Sequence, residues 1–139
     1  MDKQIESIKN ILDDYSGIEF ESNDYSVIVY PENENGFLVS LIVESEEFII
    51  QWGNCHRHFE IIHEKEEALD LFWAGLTDLT RIRAYSHGSR EFQWIFEINE
   101  NDSWETVDNT KSMFNKFWKP KIERIYQNNI IDSSMLDDN

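Results

Sequence analysis

The amino-acid sequence predicts an α+β fold: a single domain, mainly an antiparallel sheet of about six to seven strands, with an N-terminal helix and a second helix at about 64–78. Three observations predict it. Apolar residues recur at helical spacing at the start of the chain, short β-rich runs separated by polar turns follow, and an acid-led apolar segment interrupts those runs near residue 64. With 139 residues, 40% hydrophobic and 14% aromatic, the chain has the apolar mass for one core. It shows no internal repeat and no linker, so residues 1–131 are expected to form one domain and 132–139 a flexible C-terminal tail.

Ile5, Ile8, Leu12 and Tyr15 fall on one side of a helix, Asp2, Lys9 and Asp13 lie among the residues on the other, and Gly17 stops it. From Ile18 the runs Ile18–Glu21, Tyr25–Tyr30, Phe37–Val43 and Phe48–Trp52 read as strands. The short polar turns between them make an antiparallel meander. Cys55–Glu60 extends the strand pattern. Glu64-Lys65-Glu66-Glu67 then opens a helix through Ala68, Leu69, Leu71, Phe72, Trp73 and Leu76, because acids in a first turn suit the helix dipole. It should end near Gly75 to Asp78.

Arg81–Tyr85 and Phe92–Ile98 form a hairpin around the four-residue turn Ser86-His87-Gly88-Ser89. Phe92, Trp94, Phe96 and Ile98 share the face expected to meet the core, while Glu91, Gln93 and Glu97 share the other with Ile95. Trp104–Val107 suits a strand or a helix start after Asp102 and Ser103, and a strand is expected. Met113, Phe114, Phe117 and Trp118 lead to Pro120, which biases Lys119 away from helix. Ile122, Ile125 and Tyr126 follow at helical spacing.

The charge narrows the function classes. Twenty-eight acids against 12 bases give a net −16, which opposes phosphate backbones and anionic lipid, so neither nucleic acid nor membrane is an expected partner. Residues 1–70 carry a net −13 and residues 71–139 a net −3. Gathered on one face, the first half, with Glu44, Glu46 and Glu47 in one turn, would steer a basic protein partner. Lys111, Lys116, Lys119, Lys121 and Arg124 make 111–124 the one basic stretch, interleaved with Phe114, Phe117 and Trp118. These cations are expected to pair with the acidic half of the same molecule, or of a second copy, the latter giving a homodimer. The single cysteine, Cys55, forms no internal disulfide, and Met1-Asp2-Lys3-Gln4 lacks a secretory pattern, so a cytoplasmic location is expected.

Few residues suggest chemistry. On a strand, His56, His58 and Glu60 project from one face at successive i, i+2 positions, where two imidazoles and a carboxylate could meet one metal ion; this is the basis for a metal-dependent hydrolase. The same histidines on a half-exposed strand need no metal. Cys55 as a nucleophile is disfavoured by the acidic surround. No glycine-rich phosphate loop or nucleophile elbow occurs, and no cofactor is expected. Trp52, Trp73, Trp94, Trp104 and Trp118 read as one aromatic core or as the lining of a small-molecule cavity. Trp104 and Trp118, among polar neighbours, are the candidates for exposed binding anchors.

Trp52, His56-x-His58-Phe59, Glu66-Glu67-Ala68-Leu69 and Arg90-x-Phe92-x-Trp94-x-x-Glu97 resemble, over residues 45–100, small uncharacterised acidic bacterial cytoplasmic proteins of the immunity-protein type. The resemblance implies neutralisation of a partner toxin by binding rather than catalysis, and carries over no site residue. The leading expectation is therefore a non-enzymatic acidic binding protein with contacts at Glu44, Glu46, Glu47, Trp104 and Trp118.

Overall fold

The computed structural model describes residues 1–113 and 116–136. Phe114 of the basic stretch and 137–139 of the expected tail lie outside the described residues. Helix α1 (Lys3–Asp13) opens the chain, followed by β1 (Phe20–Ser22), β2 (Ser26–Val29), β3 (Val39–Glu44), β4 (Glu47–Trp52) and β5 (Cys55–Glu60). Helix α2 (Ile61–Ala74) leads to β6 (Thr80–His87), β7 (Arg90–Glu100), β8 (Ser103–Lys111) and β9 (Lys121–Tyr126), and a 3-10 turn covers Ser133–Leu136. The strands form two antiparallel sheets, in the orders β1-β2-β3-β4-β5 and β8-β7-β6-β9. The α+β fold expected from the sequence is thus the fold of the chain, with its strands shared between two sheets.

Asp2 caps α1 by accepting from the backbone N–H of Gln4 (2.8 Å) and Ile5 (3.3 Å), which satisfies donors that a first helical turn leaves free. Ile5, Ile8 and Leu12 are buried against the first sheet. On that sheet's inner face the register lines up Val27 with Leu41 and Ile50, and Val39 with Trp52 and Cys55. Helix α2 packs over β4 and β5 through Ala68, Leu71 and Phe72. It starts at Ile61, directly after β5 and ahead of the expected Glu64, and stops at Ala74.

The second sheet joins this core through Phe96, which stacks on Trp52 at 4.2 Å between ring centroids and meets Phe37 edge-on. Trp52 also donates its indole N–H to the Leu71 carbonyl (3.3 Å), fixing α2 to β4. Asn128, fully buried, accepts from the Phe37 N–H (3.0 Å) and donates to the carbonyls of Phe37 and Gly75 (2.9 Å each). One side chain thereby ties the chain's last segment to the β2–β3 loop and the end of α2. Ile131 is buried beyond it, and 132–136 of the expected tail carry the 3-10 turn.

Three expectations need correction. Ile122, Ile125 and Tyr126 belong to strand β9, paired with β6 from Ile82↔Tyr126 to His87↔Lys121, and not to a helix. Hydrogen bonding to β6 outweighs a helical spacing of only three residues, and Pro120 sits just before the strand, where its missing N–H costs no ladder bond. The β6–β7 turn holds two residues, Gly88-Ser89, rather than four, with Gly88 at φ 68°. The polar side of β7 is also buried: Glu97 is only 4% exposed, with its carboxylate accepting from Arg81 Nε (2.8 Å) and from Arg83 Nε and Nη2 (3.0 and 2.9 Å). The Glu97 hydrogen bond holds the Arg83 guanidinium pKa above its ordinary value. The arginines roof that face, and Arg81 in turn lies over Trp104 at 4.0 Å.

Candidate binding surfaces

Strand β5 alternates as its sequence requires, turning Cys55 and Phe59 inward and His56, His58 and Glu60 outward into solvent. The outward three do not converge. His56 and His58 rings lie 5.7 Å apart edge to face, and His58 Nδ1 is 2.9 Å from the Glu47 carboxylate on the neighbouring strand. Glu60 stands where the chain bends into α2, and its backbone N–H donates to Glu64 (2.9 Å). Among the described residues no three His, Cys, Asp or Glu side chains are placed to hold a metal ion.

Cys55 is buried beneath β7, with its thiol donating to the Trp94 carbonyl (3.4 Å). Burial first, then the nearby Asp108 carboxylate, push its pKa up to about 12, so the thiol stays protonated and a poor nucleophile at neutral pH. The tryptophans divide as follows: Trp52 is core, Trp73, Trp94 and Trp104 are half-buried, and Trp118 is 68% exposed.

The acidic residues gather along α2. Glu44, Glu46 and Glu47 sit at the β3–β4 turn, where Glu46 and Glu47 line a shallow pocket with Glu60 at the end of β5 and Ile62 and His63 from the first turn of α2. One helical turn on, Glu66, Glu67 and Asp70 form one wall of a groove of about 500 Å³, with Glu100 and Glu105 from the β7–β8 hairpin opposite. Leu71, Ile98 and Val107 make its floor. Five carboxylates face a single base there, Arg57, which lies 3.7 Å from Glu67. Asp70 and Ile98 also border a larger groove of about 760 Å³ lined by Tyr15, Trp73 and Ile131. The two grooves adjoin at Asp70 and Ile98, one aromatic and the other acidic.

Sequence reasoning placed the negative charge in residues 1–70 and so missed Glu100 and Glu105, which the fold brings beside α2. The link is the contact of β5 with β8, where the His56 N–H meets the Asp108 carboxylate (3.3 Å). The Asn101-Asp102 turn, with φ of 53° and 63°, is the local signal that fixes that hairpin end.

The basic stretch lies at the opposite end of the second sheet. Residues 116–120, which lead into β9, make a basic aromatic arm held by His87 Nδ1 on the Lys119 carbonyl (2.8 Å). Phe117 and Trp118 pack edge to face, 5.4 Å apart, and are largely exposed. Among the described residues Lys111, Lys116, Lys119, Lys121 and Arg124 form no ion pair with a carboxylate, which corrects the expectation of pairing within the molecule. Lys121 lies instead over the Tyr85 ring (4.4 Å), and Arg124 donates to the Glu34 carbonyl (3.1 Å).

No protein-family model matches the chain, and no curated protein or solved structure matches it. No described helix is long and apolar enough to cross a membrane.

Proposed function

We propose that this chain is a non-enzymatic binding protein that takes a basic protein partner in the acidic groove beside α2, and that it neutralises that partner in the manner of an immunity-type protein. One observation carries the reading: five carboxylates, from α2 and the β7–β8 hairpin, ring an apolar floor with one base among them. Carboxylates at a rim steer a cationic partner and set its orientation, while the floor supplies the area a stable contact needs. Glu44, Glu46 and Glu47, at the far end of α2, add to the steering field; Glu47 is already engaged by His58. The inert Cys55 and the dispersed His56, His58 and Glu60 give catalysis no comparable support.

The test is affinity purification of the tagged protein from its native host at low and at high salt. A basic protein retained at low salt and released at high salt is expected, because exposed ion pairs are screened beyond about 8–10 Å at ionic strengths of about 0.1 M and above. Recovery of no basic protein, or retention indifferent to salt, would contradict the proposal.

A further inference from the structure

Five of the ten exposed large hydrophobic side chains of the described residues fall between Met113 and Ile125: Met113, Phe117, Trp118, Ile122 and Ile125. A concentration of this kind on a small chain marks a contact surface. Phe117 and Trp118 stand 78% and 68% exposed. Lys116 and Lys119 flank the aromatics and Lys121 opens β9, the strand at the edge of the second sheet; with Arg124 offset by Glu123 the stretch carries a net +3.

We propose that this arm docks into a second copy of the chain, in the adjoining grooves beside α2, so that copies associate head to tail. The complementarity is one of charge and of aromatic character. The groove's five carboxylates and one guanidinium give it −4 against the arm's +3. Phe117 and Trp118 match the adjoining aromatic groove, lined by Tyr15, Trp73 and Ile98. The arm cannot serve its own groove. It leaves the second sheet beside the β6–β7 turn, whereas the groove lies at the β7–β8 turn, and the eleven residues of β7 that separate them span roughly 33 Å. A contact between two unlike surfaces leaves one of each free, so association continues into longer chains or closes as a ring. The inference rests on the groove of the proposed function and deepens it: the groove's ligand is a basic segment with an aromatic anchor, and self-association competes with a partner.

Sedimentation velocity on three proteins decides the matter: wild type, an arm variant (Trp118→Ala, Lys119→Glu, Lys121→Glu) and a groove variant (Glu66→Lys, Glu67→Lys). All five positions are solvent-exposed, so the fold is not at risk. At about 100 μM protein and about 10 mM salt, where charges act over about 30 Å, wild type should form dimers and larger species that dissociate at high salt. Each variant alone should be monomeric, and an equimolar mixture should stop at a dimer, since it holds one working arm and one working groove per pair. Monomeric wild type, association of either variant alone, or a monomeric mixture would overturn the proposal. So would an acidic host protein held by monomeric wild type and lost by the arm variant, which would assign the arm to another partner. The arm variant keeps its groove, so its retention of a basic host protein tests the proposed function separately.

Discussion

At the scale of single residues, environment decides which groups can react. Cys55 has a thiol, a neighbouring imidazole in His56 and a place near the surface in sequence, yet its side chain points into the core under Trp94. Its pKa rises from 9.0 to about 12 because burial and Asp108 both penalise the thiolate. A raised pKa means that the folded state favours the neutral thiol. This contribution to stability is complete below pH 9.0 and is lost as pH rises toward about 12. Urea unfolding of wild type and Cys55→Ala at about pH 8 and about pH 10.5 measures it: wild type should lose more stability over that interval than the variant. Equal losses would show that the thiol is not held protonated. The sequence made the alternation of β5 legible, and hence the inward Cys55 and outward His56 and His58. It could not show that His58 is held by Glu47, since that contact depends on the strand register.

At the scale of elements, the strands were readable wherever one face is buried. Val27 and Val29 in β2, and Phe48, Ile50 and Trp52 in β4, alternate with exposed or half-exposed neighbours, so period two appears in the sequence itself. Strand β9 lacks that signal. All its residues except Tyr126 are exposed, as suits an edge strand, and Ile122, Ile125 and Tyr126 therefore imitate a helical stripe. Likewise α2 begins three residues before its acid run because β5 feeds directly into it. Where α2 ends, packing is close enough to be tested: a Cβ added to Gly75 would stand 2.7 Å from Trp52 Cδ1 and 2.9 Å from its Nε1. Gly75→Ala should therefore destabilise the protein by about 1–3 kcal/mol in urea unfolding, through displacement of Trp52 from its stack on Phe96. A neutral or stabilising effect would mean that the contact between α2 and β4 is looser than described.

At the scale of the whole molecule, the central feature is the separation of charge. An acidic depression beside α2 stands at one end of the second sheet and a basic aromatic arm at the other, in a chain whose net charge of −16 conceals the second. Counting by halves of the sequence caught the imbalance but drew its boundary in the wrong place, because Glu100 and Glu105 join Glu66, Glu67 and Asp70 only after β8 comes to lie against β5. The arm was legible as a basic stretch with aromatics. Its isolation from the acidic half was not, since that follows from the length and direction of β7. Two variants with the same change in net charge isolate the groove from the general field: Glu66→Lys/Glu67→Lys/Asp70→Lys beside the apolar floor, and Glu44→Lys/Glu46→Lys/Glu47→Lys at the β3–β4 turn. Capture of a basic partner from host extract is the measurement. The groove variant should lose the partner while the turn variant still retains it, with slower association; loss in the turn variant with retention in the groove variant would contradict the assignment of the groove as the binding site.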